Sequence, residues 1–205
     1  MNNDRLTHWQ NVYSAKPDTE VSWFQEDPAP SLELVAATSI SAKADIIDVG
    51  GGASRLVDRL LDRGFSRLTV LDISANALAL AQKRLGFRAE GIDWIAADIR
   101  TWEPSATFDL WHDRAAFHFL TEPVDREAYI ARLTKAVRPG GHAIIATFAP
   151  DGPEKCSGLP ILRYAPDDLA RTLGPGFHLI EARRHDHETP GGATQRFQFC
   201  RFLRN

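Results

Sequence analysis

The chain has 205 residues, 43% of them apolar and 25% charged, with a formal net charge of −3. That length suits one domain with a full core, and the composition excludes disordered and fibrous classes. The slightly acidic balance gives no electrostatic reason to expect a nucleic-acid partner, which needs clustered Lys and Arg. Cys156 and Cys200 stand far apart without CxxC spacing, so neither a disulfide framework nor a structural zinc site is expected. The start of the chain has no apolar stretch of signal-peptide length, and no run reaches the roughly 18 apolar residues of a membrane span. A soluble, cytoplasmic protein without a membrane partner is expected.

Leu6, Trp9, Val12 and Tyr13 recur at spacings of three and four, which predicts an amphipathic helix over residues 4–15 with its apolar stripe on a core. The segment "KPDTEVSWFQEDPAP" then sets Trp23 and Phe24 in a loop ahead of a helix at 31–39. Two large aromatics in a loop suggest a lid. Residues 1–30 are therefore read as the N-terminal helix and lid segment of a single domain over 1–205.

From residue 45 onward short apolar runs alternate with helical stretches. Strands are predicted at "DIIDVG", "RLTVLDI", "DWIAAD", "FDLWHD" and "GHAIIATF", with helices at 53–63, 75–84 and 125–137. Strand and helix in this order predict a parallel sheet covered on both faces, with right-handed crossovers. "FHLIEARRHDH" and "TQRFQFCRFLR" flank the turn "ETPGGA" and read as an antiparallel C-terminal hairpin. The predicted fold class is α/β, a doubly wound seven-stranded sheet that is mostly parallel.

The stretch "IIDVGGGASRL", residues 46–56, ends an apolar strand in three glycines. Glycine frees the backbone for positive φ and lets a ligand approach the main chain. In a doubly wound sheet, ligands sit outside the carboxyl ends of the strands where strand order reverses. A dinucleotide calls for GxGxxG and an acid about 20 residues further on for the ribose hydroxyls. Gly50 and Gly52 are present, but Arg55 stands where the third glycine would fall, while Asp72 supplies the acid in "LTVLDIS". A ribose therefore fits better than a pyrophosphate. A nucleoside bearing an amino acid fits both facts, its carboxylate facing a helix N-terminus near Ala53. S-adenosylmethionine is such a molecule. Beyond the third strand, Asp98 in "WIAADIRTW" can accept a hydrogen bond from an adenine amino group. Each acid also has a structural reading, Asp48 and Asp72 as helix caps and Asp98 as a loop acid.

In order, "DVGGGAS", "VLDIS", "AADIR", "FDLWHDR" and "RPGGHAIIATF" resemble the class I S-adenosylmethionine-dependent methyltransferases, over about residues 30–203. The segments "HWQNVYSAKPDTEVSWFQ" and "HETPGGATQRFQFCRF" are similar to a bacterial branch. That branch is related to the lysine methyltransferases of citrate synthase and elongation factor, and more loosely to thiopurine-type small-molecule methyltransferases. The resemblance implies a Rossmann-like methyltransferase fold and S-adenosyl-L-methionine as cofactor. It implies that Asp48, Gly50 and Gly52 hold the methionine part, that Asp72 takes the ribose, and that Ile73 lies against the adenine. Asp98 and Ile99 correspond to the adenine amino contact and its apolar wall. Trp23 and Phe24 fall where an N-terminal segment folds over the donor. His112 and Asp113 end the fourth strand, where the family lines the channel between donor and acceptor, so either is expected to shape the acceptor site and serve as a base. Ala53 and Ser54 depart from the family's small residue followed by Gly.

The implied chemistry is methyl transfer by in-line displacement from a sulfonium whose leaving group departs neutral. The protein must hold the nucleophile roughly 3–3.5 Å away and exclude water. A lysine amine must first lose a proton, to a nearby carboxylate or imidazole. DPPY-type motifs of DNA amino methylation are absent after the fourth strand, where "HDRA" stands, and so is a Pro-Cys nucleophile. Two isolated cysteines supply no thiol trap for arsenite. A small-molecule or protein side-chain acceptor is left. His185 and His187 share a strand face without a third ligand, so no metal is expected. His118, between Phe117 and Phe119, reads as a satisfied, half-buried histidine. Two alternatives stay open. A nicotinamide-dependent reductase shares the glycine turn and ribose acid, although Leu133 stands where a YxxxK dyad on Tyr129 needs lysine. A non-catalytic S-adenosylmethionine-binding module would make the same donor contacts.

Overall fold

The computed structural model describes residues 2–15 and 17–205, so Met1 and Lys16 of the expected lid segment lie outside the described residues. The apolar runs form β1 (Asp45–Val49), β2 (Arg67–Asp72), β3 (Ile92–Ala96), β4 (Phe108–Arg114) and β5 (Val137–Phe148). A small two-stranded hairpin follows, β6 (Lys155–Cys156) with β7 (Leu159–Pro160). The long β8 (Phe177–Glu188) and β9 (Thr194–Arg204) complete the main sheet. Its order is β3-β2-β1-β4-β5-β9-β8. β1 to β5 pair in parallel, and β9 runs antiparallel to both β5 and β8. This is the expected seven-stranded, mostly parallel α/β sheet. Strand order reverses between β1 and β4, the position where such sheets open a crevice.

Among the described residues six α-helices cover the sheet: α1 (Asn2–Ala15), α2 (Ala29–Ala37), α3 (Leu56–Asp62), α4 (Ala75–Leu85), α5 (Pro123–Ala136) and α6 (Pro166–Leu173). Successive strand residues point to opposite faces, and both faces are buried. Ile46 and Leu110 pack with Leu34 of α2, Leu60 of α3 and Leu78 of α4. On the other face Ile47 and Trp111 pack with Tyr129 and Leu133 of α5 and Leu169 of α6. Strands buried on both sides read as near-continuous apolar runs, which is why β1, β2 and β4 stand out in the sequence.

Most bounds shift by a residue or two, and α2 lies at Ala29–Ala37 rather than 31–39; the three larger departures each have a local cause. α3 begins at Leu56 rather than 53, because Arg84 draws the carbonyls of Ala53 and Ser54 into hydrogen bonds of 3.1 and 2.8 Å. β5 begins at Val137, so "RPGG" is carried inside it and absorbed by a register shift between Phe108 and Leu110, as a bulge does. α6 was not expected, although it carries Pro166 in its first turn, Asp167 and Asp168 beside it, and Gly174 at its C-cap, the usual start and stop signals. Among the described residues no helix is long and apolar enough to cross a membrane.

Candidate functional site

A crevice with about 830 Å³ of empty space, open solvent at its mouth included, lies along the carboxyl ends of β1 to β4. Because the strands lie in the order β3-β2-β1-β4, their tips deliver Ile99 and Asp98, then Ile73 and Asp72, then Gly50, then Arg114 and Ala115 in a row along it. At Gly50 φ is +69°, and a Cβ there would lie 2.7 Å from that of Ala116. Gly52 has φ +42°, with the Asp72 carboxylate and the Tyr13 hydroxyl where its Cβ would stand. The turn is therefore bare because other groups close on it.

Asp72 is buried, and its Oδ1 accepts from the Ser74 amide at 2.7 Å. Burial, aided by the charge of Asp48, outweighs the hydrogen bonds from Ser74 and Gly52 and raises its pKa to about 7. Asp98 behaves differently. Burial acts to raise it, but the hydrogen bonds and charge of Arg100 prevail and hold it below the usual carboxylate range. Arg100 Nε lies 3.0 Å from both Asp98 oxygens, and its Nη1 reaches Asp125 at 3.3 Å. Ile73, Ile99 and Leu120 give this end apolar walls.

Over the crevice, Trp9 and Tyr13 of α1 meet Trp23 edge to face, with ring centroids 5.6 and 6.1 Å away. Trp23 Nε1 donates to the Tyr13 hydroxyl at 3.2 Å. The strands hold this loop by its backbone: Arg114 Nη1 donates to the Trp23 carbonyl and His187 Nε2 to that of Ser22, both at 2.8 Å. The stripe read from sequence as core packing thus roofs a cavity.

Residues 46–141 match the family model described as "Methyltransferase domain". The trans-aconitate 2-methyltransferase of Acidovorax sp. (strain JS42) is 34% identical over 62% of this chain and 46% of that protein. The EEF1A lysine methyltransferase 2 of Danio rerio is 28% identical over 91% of this chain and 81% of that protein. The N-methyltransferase NodS of Bradyrhizobium japonicum WM9, solved with S-adenosyl-L-homocysteine, shares the fold with a TM-score of 0.76. It is 20% identical over 98% of this chain and 99% of that one. Residues 46–141 are thus similar to a methyltransferase domain, and the fold is that of a solved N-methyltransferase. The chain spans about half the length of the trans-aconitate relatives it matches.

The crevice residues fit S-adenosylmethionine in three respects: a bare backbone at Gly50, a buried carboxylate at the β2 tip, and apolar walls at the β3 tip. Other expected residues lie elsewhere. Asp48 is buried below the turn, where its Oδ1 accepts from His112 Nδ1 at 2.7 Å, and His112 Nε2 faces the Ser31 hydroxyl at 2.8 Å. His112 therefore points under α2, not into an acceptor channel. Asp113 is fully buried on the opposite face, accepting from the Ala116 amide at 2.8 Å, the Phe117 amide at 3.0 Å and the Tyr129 hydroxyl at 2.7 Å. Burial raises its pKa to about 6 against those hydrogen bonds. Both oxygens are engaged, so it has no path to a substrate proton. It fixes the turn in which Ala115, a crevice residue, takes a φ of +71°.

Phe24 lies outside the main crevice, 5.4 Å from the Arg55 guanidinium beside a smaller cavity. Ala53 sits in the loop ahead of α3, whose first turn starts three residues later at Leu56. His118 is fully buried, not half-buried; its Nδ1 accepts from the Phe148 amide at 3.4 Å and its Nε2 has no partner among the described residues. Burial, helped by Arg114, lowers its pKa to about 3. Cys156 borders the crevice with its thiol pushed up to about 12 by burial, the state of an inert cysteine. Among the described residues no group of three or more His, Cys, Asp or Glu could hold a metal ion. Sequence reasoning missed Trp9, Tyr13, Arg100 and Arg114 as crevice residues. Only their arrangement in space marks them.

Proposed function

We propose that this protein transfers a methyl group from S-adenosylmethionine to a nucleophile of a small molecule or a protein side chain, by in-line displacement. The observation that carries the reading is the row of strand tips, with Asp72 and Asp98 in line with the bare turn at Gly50 along one roofed crevice. When bound, the cofactor supplies an electrophilic methyl group on a sulfur that leaves without charge. The chain's own residues then bind, orient and exclude water. Gly50 lets the methionine part lie against the main chain, and Gly52 makes room for the Asp72 carboxylate and the Tyr13 hydroxyl beside it. Asp72 accepts the ribose hydroxyls, Ile73 and Ile99 flank the adenine, and Asp98 shares its carboxylate between Arg100 and the adenine amino group. Trp23 and Tyr13 shut out water. Asp48, held by His112, positions the turn from below, and Asp113 positions the β4 turn.

The relatives are named for trans-aconitate and for a lysine of an elongation factor, so a small acid and a protein side chain both lie within the reading. Residues 1–205 act in it as one domain, with 1–30 as helix and lid segment and no nucleic-acid partner. Two free, buried thiols support a cytoplasmic setting. Calorimetry with S-adenosylhomocysteine and with NADH, followed by tritiated methyl transfer into lysate fractions, tests it. Saturable binding of the first alone, followed by label transfer, is expected. Binding of NADH alone would overturn the reading, and donor binding without transfer to any fraction would leave a binding module.

A further inference from the structure

Arg114, the last residue of β4, borders both the main crevice and the smaller cavity beside Phe24. One nitrogen is committed to the Trp23 carbonyl, and the guanidinium carbon stands 4.7 Å from the centre of the Phe197 ring. Its Nε and Nη2 are shut off from solvent and have no partner among the described residues. The neighbouring arginines are matched: Arg100 holds Asp98 and Asp125, Arg5 lies 3.5 Å from Asp125, and Arg55 lies 3.0 Å from Asp18. Burial lowers Arg114 to about 10, so it stays charged at neutral pH. A buried, charged fork with two idle donors is built for a planar anion that accepts both.

The surroundings narrow the choice. The crevice's carboxylates, Asp72 and Asp98, sit at the β2 and β3 tips, and no imidazole lines it among the described residues. With Arg114 the crevice is lined by Ala115, Ala116, Phe119, Trp23, Tyr13 and the inert Cys156, and the smaller cavity adds Asp18, which is paired with Arg55 and Arg84. Among these groups no imidazole and no unpaired carboxylate stands ready to take a proton from an ammonium or a hydroxyl. An anion whose lone pairs are already free needs no such base.

We propose that Arg114 receives a carboxylate of the methyl acceptor, which makes the acceptor class a carboxylic acid bound as its anion. The proposal rests on the methyl-transfer reading above. The donor's own carboxylate is the other source of the same chemistry, and the experiment separates the two.

Trp9 and Trp23 report on this end of the crevice by fluorescence. The protein is titrated with succinate and with neutral succinamide, with and without S-adenosylhomocysteine. Succinate is expected to bind saturably and succinamide not. Arg114→Met should weaken succinate at least tenfold, Arg114→Lys less, and S-adenosylhomocysteine less than threefold in either. Equal behaviour of succinate and succinamide in the wild type, or undiminished succinate binding in a folded Arg114→Met, would overturn the proposal. A tenfold loss of S-adenosylhomocysteine in Arg114→Met, with its decarboxylated analogue unaffected, would give the guanidinium to the donor and overturn it too. Failure of the wild type to bind S-adenosylhomocysteine sinks the methyl-transfer reading alone, since the succinate arm without it still decides Arg114.

Discussion

Lowering the pH from about 8 to about 6 should weaken S-adenosylhomocysteine binding roughly tenfold, because one crevice carboxylate changes charge in that interval. Asp72 is raised from 3.8 to about 7 by burial and by Asp48, against the hydrogen bonds from Ser74 and Gly52. Ribose hydroxyls donate, so the ligand prefers the ionised form, and a protonated Asp72 must release its proton on binding. One unit below its pKa about a tenth of the sites are ionised, and each further unit costs about 1.4 kcal/mol of apparent affinity. The effect on folding has the opposite sign. A pKa raised above its unfolded value gives stability that is complete below about 4 and lost as pH rises through about 7. Calorimetry in two buffers of different ionisation enthalpy should register close to one proton released per ligand near pH 6 and almost none near pH 8. Asp72→Asn should weaken binding at pH 8 and flatten the profile. Wild-type affinity constant within twofold across this range, without proton release, would refute the assignment of the ribose to Asp72.

Four further outcomes follow from the same geometry. Trp23→Ala removes the roof over the crevice and should weaken S-adenosylhomocysteine about tenfold, in keeping with the loss of its edge-to-face aromatic contacts. Phe24→Ala should change affinity less than twofold in the same calorimetry, because its ring stands outside the main crevice, 5.4 Å from the Arg55 guanidinium. Asp113→Ala strips partners from two amides and Tyr129 and should cost about 3 kcal/mol of stability, read as a lowered Tm. Turnover per folded molecule should fall less than threefold, and a collapse of turnover at unchanged Tm would return Asp113 to the role of base. His112→Ala leaves the buried Asp48 without its 2.7 Å partner and should destabilise by a similar amount in denaturant titration.

The sheet was legible because parallel strands buried on both faces write themselves as apolar runs, and Ile46, Ile47 and Val49 admit little else. The half of the crevice proposed for the donor was legible for a related reason. Gly50, Asp72 and Asp98 follow strand ends, and a strand end in a doubly wound sheet has a fixed place. Side chains reaching the crevice from other directions had no such address. Trp9 and Tyr13 show a helical stripe that a core would equally demand, and whether it faces a core or a cavity depends on α1 lying over the strand tips. His112 and Asp113 were placed at the right strand end, but strand alternation turns them to opposite faces of the sheet, each into a buried hydrogen-bond set. Arg114, one residue further on, is the one the crevice receives. α6 carries start and stop signals in Pro166, Asp167, Asp168 and Gly174, but its eight residues show the helical period only at Leu169 and Leu173.

A crystal of the chain grown with S-adenosylhomocysteine decides whether the strand tips of β1 to β4 form one donor site. The ribose hydroxyls are expected on the Asp72 carboxylate, the adenine between Ile73 and Ile99, and the sulfur near Gly50 on the side of Arg114. Ligand bound anywhere else, or a ribose out of hydrogen-bonding reach of Asp72, would contradict it.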